Sequence, residues 1–406
     1  MEAGLTLLNV VTLERAMEIA ANEMPRIRRE TVLPTDEAAG LILAADIVSG
    51  ADVPAFDRST MDGYAVIAAD TFGAGQAVPA MLDVIGEIPM GAAAAFSLAP
   101  GQCARISTGG MLPAGADAVV PVEYTDLDAG NLMLCYTAVS PLRNVTRRGE
   151  DVKKGQTVLK RGDRLSPAAV GVLSAMGVTE AAVFAPPRVG ILSTGNELVP
   201  ITAAPAVGEV RDVNAHVLRA FLRGRGCDCR CYGIIRDEAA ALTEALRRAA
   251  EENDIVLLSG GSSAGEADKT AEIVASLGTV FCHGIAVKPG KPTVLGQIGS
   301  AAVFGLPGHP AACYFTASLL VGAYLDARAG LPRRRNTVKA RITEHVSSNH
   351  GREELLCVKL LDGRAAPIYA KSGVISFLSA ADGYVIIPRD AEGIAEGEKV
   401  EIFPFE

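Results

Sequence analysis

Between residues 186 and 327 short apolar runs, each ending in a glycine-bearing loop, alternate with helical segments, and few folds accept that pattern. VGILS leads into STGNE and then a helix expected over about Asn214–Leu222, and CDCRCYGII supplies the next strand. Asp237 stands where it would cap a helix whose Leu242, Ala245, Leu246 and Ala249 share a face. DIVLLS then runs into GGSSAGEAD and another helix, and AAVFG into LPGHP and an apolar helix, Ala311–Leu325. The repeat predicts a mainly parallel sheet covered by helices. Ligands of such sheets bind at the carboxyl ends of the strands, so the chemistry is expected in these loops.

The chain has 406 residues, 49% of them hydrophobic, which is more than one ordinary core holds. A multidomain α/β protein is therefore expected. Residues 12–24 have helical periodicity, and LPTDEAAGLILAADI reads as a short helix followed by a strand. Residues 52–143 carry short apolar runs broken by Gly and Pro, such as YAVIAAD and ADAVVPVEY, and so read as strand-rich. Beyond them Ser166-Pro167 forms a cap and first-turn pair for a helix. The expected division is 1–50 with 144–178 as one discontinuous domain, 51–143 as a β-rich insert, 179–328 as the α/β domain, and 329–406 as a small C-terminal β-barrel-like domain.

Several function classes fall away on composition. A formal charge of −9 argues against nucleic acid or anionic lipid as partner, so any phosphate site must be built from local cations. Ala311–Leu325 is too short to span a membrane, and MEAGLTLLNVVTLERAMEIA lacks a basic n-region, so a cytoplasmic protein is expected. Cys227, Cys229 and Cys231 would share one face of a strand but lie about 7 Å apart in succession. Zinc needs its sulfurs much closer, given Zn–S bonds of about 2.3 Å. The five histidines form no HxxxH or HExxH pair.

The loop Ser259–Asp268 (SGGSSAGEAD) lets backbone approach an anion closely through Gly260, Gly261 and Gly265, with Ser262 beside them and unpaired N–H groups at the helix start. A tight turn would use the same glycines. The pattern is neither GxGxxG nor a P-loop. Glu266 and Asp268 beside phosphate would be useful with Mg²⁺ between them. Another strand end carries Ser193, Thr194, Gly195, Asn196 and Glu197, where Glu197 either binds a ligand or metal or caps a surface turn. VKPGKP holds Lys288 and Lys291 in a stiff turn and could supply the positive field. GLPGHP rigidifies a further turn, whose His309 reads as a general base or simply a conformational residue. In the insert, FDRSTMDGYAV offers Asp62, in a segment that in isolation could be no more than an ion-paired turn, and ISTGGMLPAGADAVV offers Thr108; beyond the insert, TRRGED offers Asp151.

Taken in order, FDRSTMDGYAV, RISTGGMLPAGADAVV, RRGEDVKKGQ, ILSTGNEL, SGGSSAGEAD, VKPGKP and GLPGHP resemble the molybdopterin molybdenumtransferase family over nearly the whole chain. The resemblance implies Mg²⁺-dependent insertion of molybdate into adenylylated molybdopterin, giving molybdenum cofactor and AMP. It implies a three-layer α/β/α molybdopterin-binding domain and a homodimer with its cleft shared between subunits. Transient contact with the molybdopterin adenylyltransferase or with molybdoenzyme maturation proteins is implied too. Carried over position by position, Asp62, Thr108 and Asp151 are cleft residues. Glu197, Asp237 and Asp268 surround nucleotide and metal; Lys288, Lys291 and the turns at Pro307 and Pro310 hold pterin and phosphate or oxyanion; Ser376 borders the cleft.

The sequence departs from the family pattern at Val213, Ser262, Ala264, Lys269, His309, Ala311, Ala312 and Cys313. These changes keep the carboxylates and alter the pocket wall, which leaves open tungstate in place of molybdate. Two further readings are molybdopterin adenylylation from ATP and a non-enzymatic dimeric scaffold.

Overall fold

The fold, a computed structural model, describes residues 10–26, 28–260, 264–330, 337–371 and 373–405, with backbone alone for 264–268. The chain divides into two units, residues 32–183, and residues up to Thr31 together with 184–406.

In the first unit a six-stranded sheet runs Ala118–Pro121, Gly63–Val66, Gln102–Ile106, Ala80–Ile88, Leu132–Cys135, Thr125–Leu127. Its second strand, Gly63–Val66, is buried on both faces. Val66 packs with Leu82, Cys103 and Met133 on one side, and Ala65 with Ile88, Ile106 and Val119 on the other. A two-sided core explains why these runs read as continuously apolar. Residues on either side of this insert share a separate core of Ala38, Leu43, Leu165, Leu173, Ala181 and Val183. The helix Pro167–Ala175 begins as expected, with Ser166 Oγ accepting from Ala169 N at 3.2 Å. The short helix read after Pro34 is instead a run of turns closed by Gly40 at φ +82°. Six residues are too few to offset helix nucleation without a strong cap.

The second unit contains the expected sheet. Strands β1 (Arg188–Thr194), β2 (Asp228–Ile235), β3 (Ile255–Ser259), β4 (Gly278–His283), β5 (Val294–Ile298) and β6 (Ala301–Leu306) lie in the order β2-β1-β3-β6-β5-β4. The first four in that order are parallel; β5 runs against them, and β4, antiparallel to β5, returns to their direction. Helix α1 (Asn214–Gly224) covers one face through Leu218 and Leu222. Helices α2 (Ala239–Glu252) and α3 (Ala264–Leu277) cover the other, with Leu242, Leu246, Ile273 and Val274 against Leu192, Val256 and Val303.

Residues 12–24 are helical, but their place differs from the sequence reading. Leu13, Ala16 and Met17 enter the α/β core beside Leu320 and Tyr324, so they belong to that unit and not to the one that holds residues 144–178. The apolar stretch after Pro310 runs buried as Pro310–Thr316, a π-turn at Ala317–Val321, and Gly322–Ala329. No described helix is long and apolar enough to cross a membrane.

The C-terminal strands Val338–Ile342, Glu353–Leu361, Arg364–Ile368, Gly383–Ile387 and Lys399–Pro404 close on themselves, because Gly383–Ile387 pairs with both Lys399–Pro404 and Glu353–Leu361. Val287–Lys288 joins the same sheet, parallel to Glu353 and Glu354. That pairing ties the lysine loop to the C-terminal domain, and Tyr384 packs edge-on to Phe315 of the helix Pro310–Thr316 at 5.3 Å.

Candidate functional site

Strands β1 and β3 end together, with Ser193 opposite Ser259, and Thr194 lies opposite Ile235 of β2. This register brings Asp237, two residues past β2, to the tip of β1. Thr194 Oγ1 donates to Asp237 Oδ1 at 2.5 Å, and Asn196 N donates to Oδ2 at 3.2 Å. Asp237 is therefore not the cap of α2: Glu238 occupies that position and makes no side-chain capping bond. Gly195, at φ +154°, lies under the Glu197 carboxylate, where a Cβ would meet both oxygens at 2.9 Å. Gly260 presses on Thr194 even more closely. The hydroxyls of Ser193 and Ser259 are buried without a hydrogen-bond partner among the described residues.

Glu197, Asp237 and these hydroxyls are all hard oxygen donors, a set whose chemistry suits Mg²⁺. Among the described residues no three His, Cys, Asp or Glu side chains are grouped to hold a metal. Gly261, Ser262 and the Asp268 side chain lie outside the described residues; Gly265 falls in the first turn of α3. Lys269 and Thr270 line a small hollow with Thr194 and Asp237, so one of the departures from the family pattern sits at this strand end.

A second cluster forms where the VKPGKP and GLPGHP loops meet. Lys288, Lys291, Pro307, Gly308, His309 and Arg352 line a hollow of about 200 Å³. Arg352 escaped the sequence reading, because only the pairing of Val287 with Glu353 brings it here. Lys288 is not an unengaged cation: its Nζ donates to Glu354 Oε1 at 2.6 Å. Pro310 is the first residue of the following helix and does not line the hollow. Ser376 is exposed at the start of Ser376–Ala380, and neither cavity counts it in its wall. Its neighbour Phe377 lines an adjoining apolar cavity of about 920 Å³, shared by Phe315, Leu355, Ile368 and Tyr369.

In the first unit the FDRSTMDGYAV, STGG and RRGED motifs come together. Arg58–Ser59 pairs with Val145–Thr146, and Ser59 exchanges backbone hydrogen bonds with Gly109 and Gly110 of the STGG loop. Asp62 Oδ1 accepts from Thr108 N at 2.7 Å and from Thr108 Oγ1 at 3.0 Å. Asp151 is exposed on the RRGED turn, whose backbone is tied to Val53. The Thr108 backbone N–H, and after it the hydroxyl, hold the Asp62 carboxyl below its ordinary range. A depressed folded value means that this contribution is fully present above about pH 4 and lost as pH falls through the folded value. The expected result is loss of the Thr108 amide's NMR signature in acid at a pH below that of an unperturbed aspartate; Asp62→Asn should remove that titration, and its persistence would assign it to another group.

Comparison with known proteins covers all of these elements. Residues 11–177 match the MoeA N-terminal region (domain I and II), 190–327 a probable molybdopterin binding domain, and 339–405 the MoeA C-terminal region (domain IV). A putative molybdopterin biosynthesis protein of Methanocaldococcus jannaschii is 35% identical over 378 residues, 90% of each chain. Molybdopterin molybdenumtransferase 2 of Mycobacterium tuberculosis is 32% identical over 393 residues, 94% of this chain and 96% of that one. Two crystal structures of molybdopterin biosynthesis MoeA proteins from Pyrococcus horikoshii cover 98% of this chain and all of theirs, with TM-scores of 0.87 and 0.85 at 39% and 32% identity. With every domain matched in order along the chain, the protein belongs to the molybdopterin molybdenumtransferase (MoeA) family and to molybdenum cofactor biosynthesis.

Proposed function

We propose that this chain inserts molybdate into adenylylated molybdopterin, releasing AMP. The observation that carries this reading is the grouping of Lys288, Lys291 and Arg352 around a hollow sized for a small anion, in a protein of net charge −9. Molybdate is a dianion and its partner substrate is anionic, so bringing them together requires concentrated positive charge and preorganised N–H donors. The insertion replaces oxygen ligands of the metal with the two sulfurs of the pterin substrate, which needs no protein nucleophile.

AMP departs when water attacks phosphorus and the phosphoanhydride oxygen leaves. Glu197 and Asp237, with Asp268, would hold Mg²⁺; bound there, it would neutralise charge on the phosphate oxygens. Thr194 and Asn196 fix the Asp237 carboxylate, so its orientation is set before substrate arrives. Asp62, Thr108 and Asp151 belong, on this reading, to the cleft wall contributed by a second subunit.

The full-length match, including the insert and the C-terminal domain, favours insertion over adenylylation from ATP. The test gives purified protein adenylylated molybdopterin with molybdate or tungstate and follows AMP and metallated cofactor. Turnover with at least one oxyanion is expected. A folded protein inactive with both would point to the dimeric scaffold.

A further inference from the structure

Lys288 stands at a boundary. It lines both the 200 Å³ hollow, with Lys291 and Arg352, and the 920 Å³ cavity, with Glu354. Lys288 and Glu354 are direct partners across two parallel strands, so their side chains leave the same face of the sheet. The ammonium is turned to the Glu354 side, at 2.6 Å from Oε1, while Glu354 Oε2 accepts from Ser348 Oγ at 2.8 Å. Both carboxylate oxygens are thus engaged. The Glu354 side chain is 20% exposed and that of Lys288 43%, so water screens this pair only partly.

Among the described residues no carboxylate lines the smaller hollow, and three cations around about 200 Å³ repel one another. Turning Lys288 towards Glu354 relieves that repulsion. We propose that Glu354 is the resting counter-ion of Lys288, which an oxyanion must displace to recruit the lysine, and that Glu354 thereby sets how strongly charged an anion has to be to bind. A tetrahedral dianion can draw Lys288 back beside Lys291 and Arg352. A monoanion offers half the charge and leaves Lys288 with the glutamate. Glu354 is a positioning residue here, acting on the anion through Lys288, and Ser348 holds it in place. The inference rests on the oxyanion reading above and adds a competitor to it.

The test is calorimetric titration of the full chain with tungstate alone, comparing wild type, Glu354→Gln, Lys288→Ala and the double variant. Glu354→Gln keeps the size of the side chain and removes its charge, and should tighten tungstate by about two- to fivefold, the scale of a partly exposed ion pair. A residue that merely braced the joint would weaken binding when changed. In the Lys288→Ala background the same substitution should have no effect, because there is no lysine left to contest. An equal gain in both backgrounds would mean diffuse charge repulsion and would overturn the proposal, as would unchanged or weaker binding by Glu354→Gln. If tungstate fails to bind wild type at all, the oxyanion reading falls along with it; if wild type binds and Glu354→Gln does not tighten, this inference alone is lost. Ser348→Ala should give a smaller gain in the same direction and checks the result should Glu354→Gln fold poorly.

Discussion

Asp237→Asn should lower Mg²⁺-dependent AMP release by about a hundred- to a thousandfold, the cost of removing one preorganised electrostatic group from a reacting centre, while leaving the fold in place. The helix after it does not depend on Asp237, since Glu238 stands at the N-cap position without a side-chain bond. The substituted amide can keep its oxygen on Thr194 Oγ1, where Asp237 Oδ1 sits at 2.5 Å. Its nitrogen then faces the N–H of Asn196, a donor set against a donor, in place of the carboxylate oxygen that accepts at 3.2 Å. Asp237 is partly open to solvent, so water can take up the lost bond and the stability cost stays near about 1 kcal/mol. What cannot be replaced is the negative charge that a hard cation requires. AMP release across a Mg²⁺ titration, with thermal melting alongside, separates the two effects. Normal release would make Asp237 a strut for Thr194, with Glu197 and Asp268 left to organise the metal.

That prediction depends on a contact the sequence misreads. Asp-Glu-Ala-Ala before an amphipathic run has the form of a helix start, and a cap is the local reading of Asp237. Strand register decides otherwise, because parallel pairing sets Thr194 beside Ile235 and so puts Asp237 on the tip of β1. Signals carried within a few residues were legible: the four parallel strands of the sheet, the Ser166 cap, the helix from Asn214, and a helix expected from Ala311 that starts one residue earlier at Pro310, whereas the antiparallel pair β4 and β5 went unread. Signals that depend on distant partners were not. Glu354 lies 66 residues from Lys288, and no periodicity in either segment announces their pairing. Arg352 enters the anion hollow by the same ladder. Residues 12–24 show their helix through spacing, but nothing in that spacing identifies Leu320 and Tyr324 as the surface their apolar stripe covers.

Gly260→Ala should cost more stability than any other small change at the strand ends, and should abolish AMP release as well. Gly260 follows β3 at φ +147°, a conformation that costs a non-glycine residue about 1–3 kcal/mol. Its added Cβ would lie 2.3 Å from the Thr194 carbonyl oxygen and 2.4 Å from Thr194 Cγ2. Neither atom can move aside easily: Thr194 is 4% exposed and belongs to a strand paired on both sides. Overpacking of this kind adds about 1–3 kcal/mol, so a total of about 2–6 kcal/mol is expected and a fall in melting temperature of about 4 °C or more. Any shift that relieves the contact also moves Thr194 away from Asp237, which links the stability loss to the loss of activity. Gly208→Ala supplies the control, since Gly208 has φ +93° with no atom within 4 Å of an added Cβ. It carries the backbone strain without the collision and should melt within a few degrees of wild type, by roughly 2–4 °C per kcal/mol. Equal losses in the two variants would mean that strand β1 yields to the methyl group, and that the close approach of Gly260 to Thr194 is not what holds the strand end in shape.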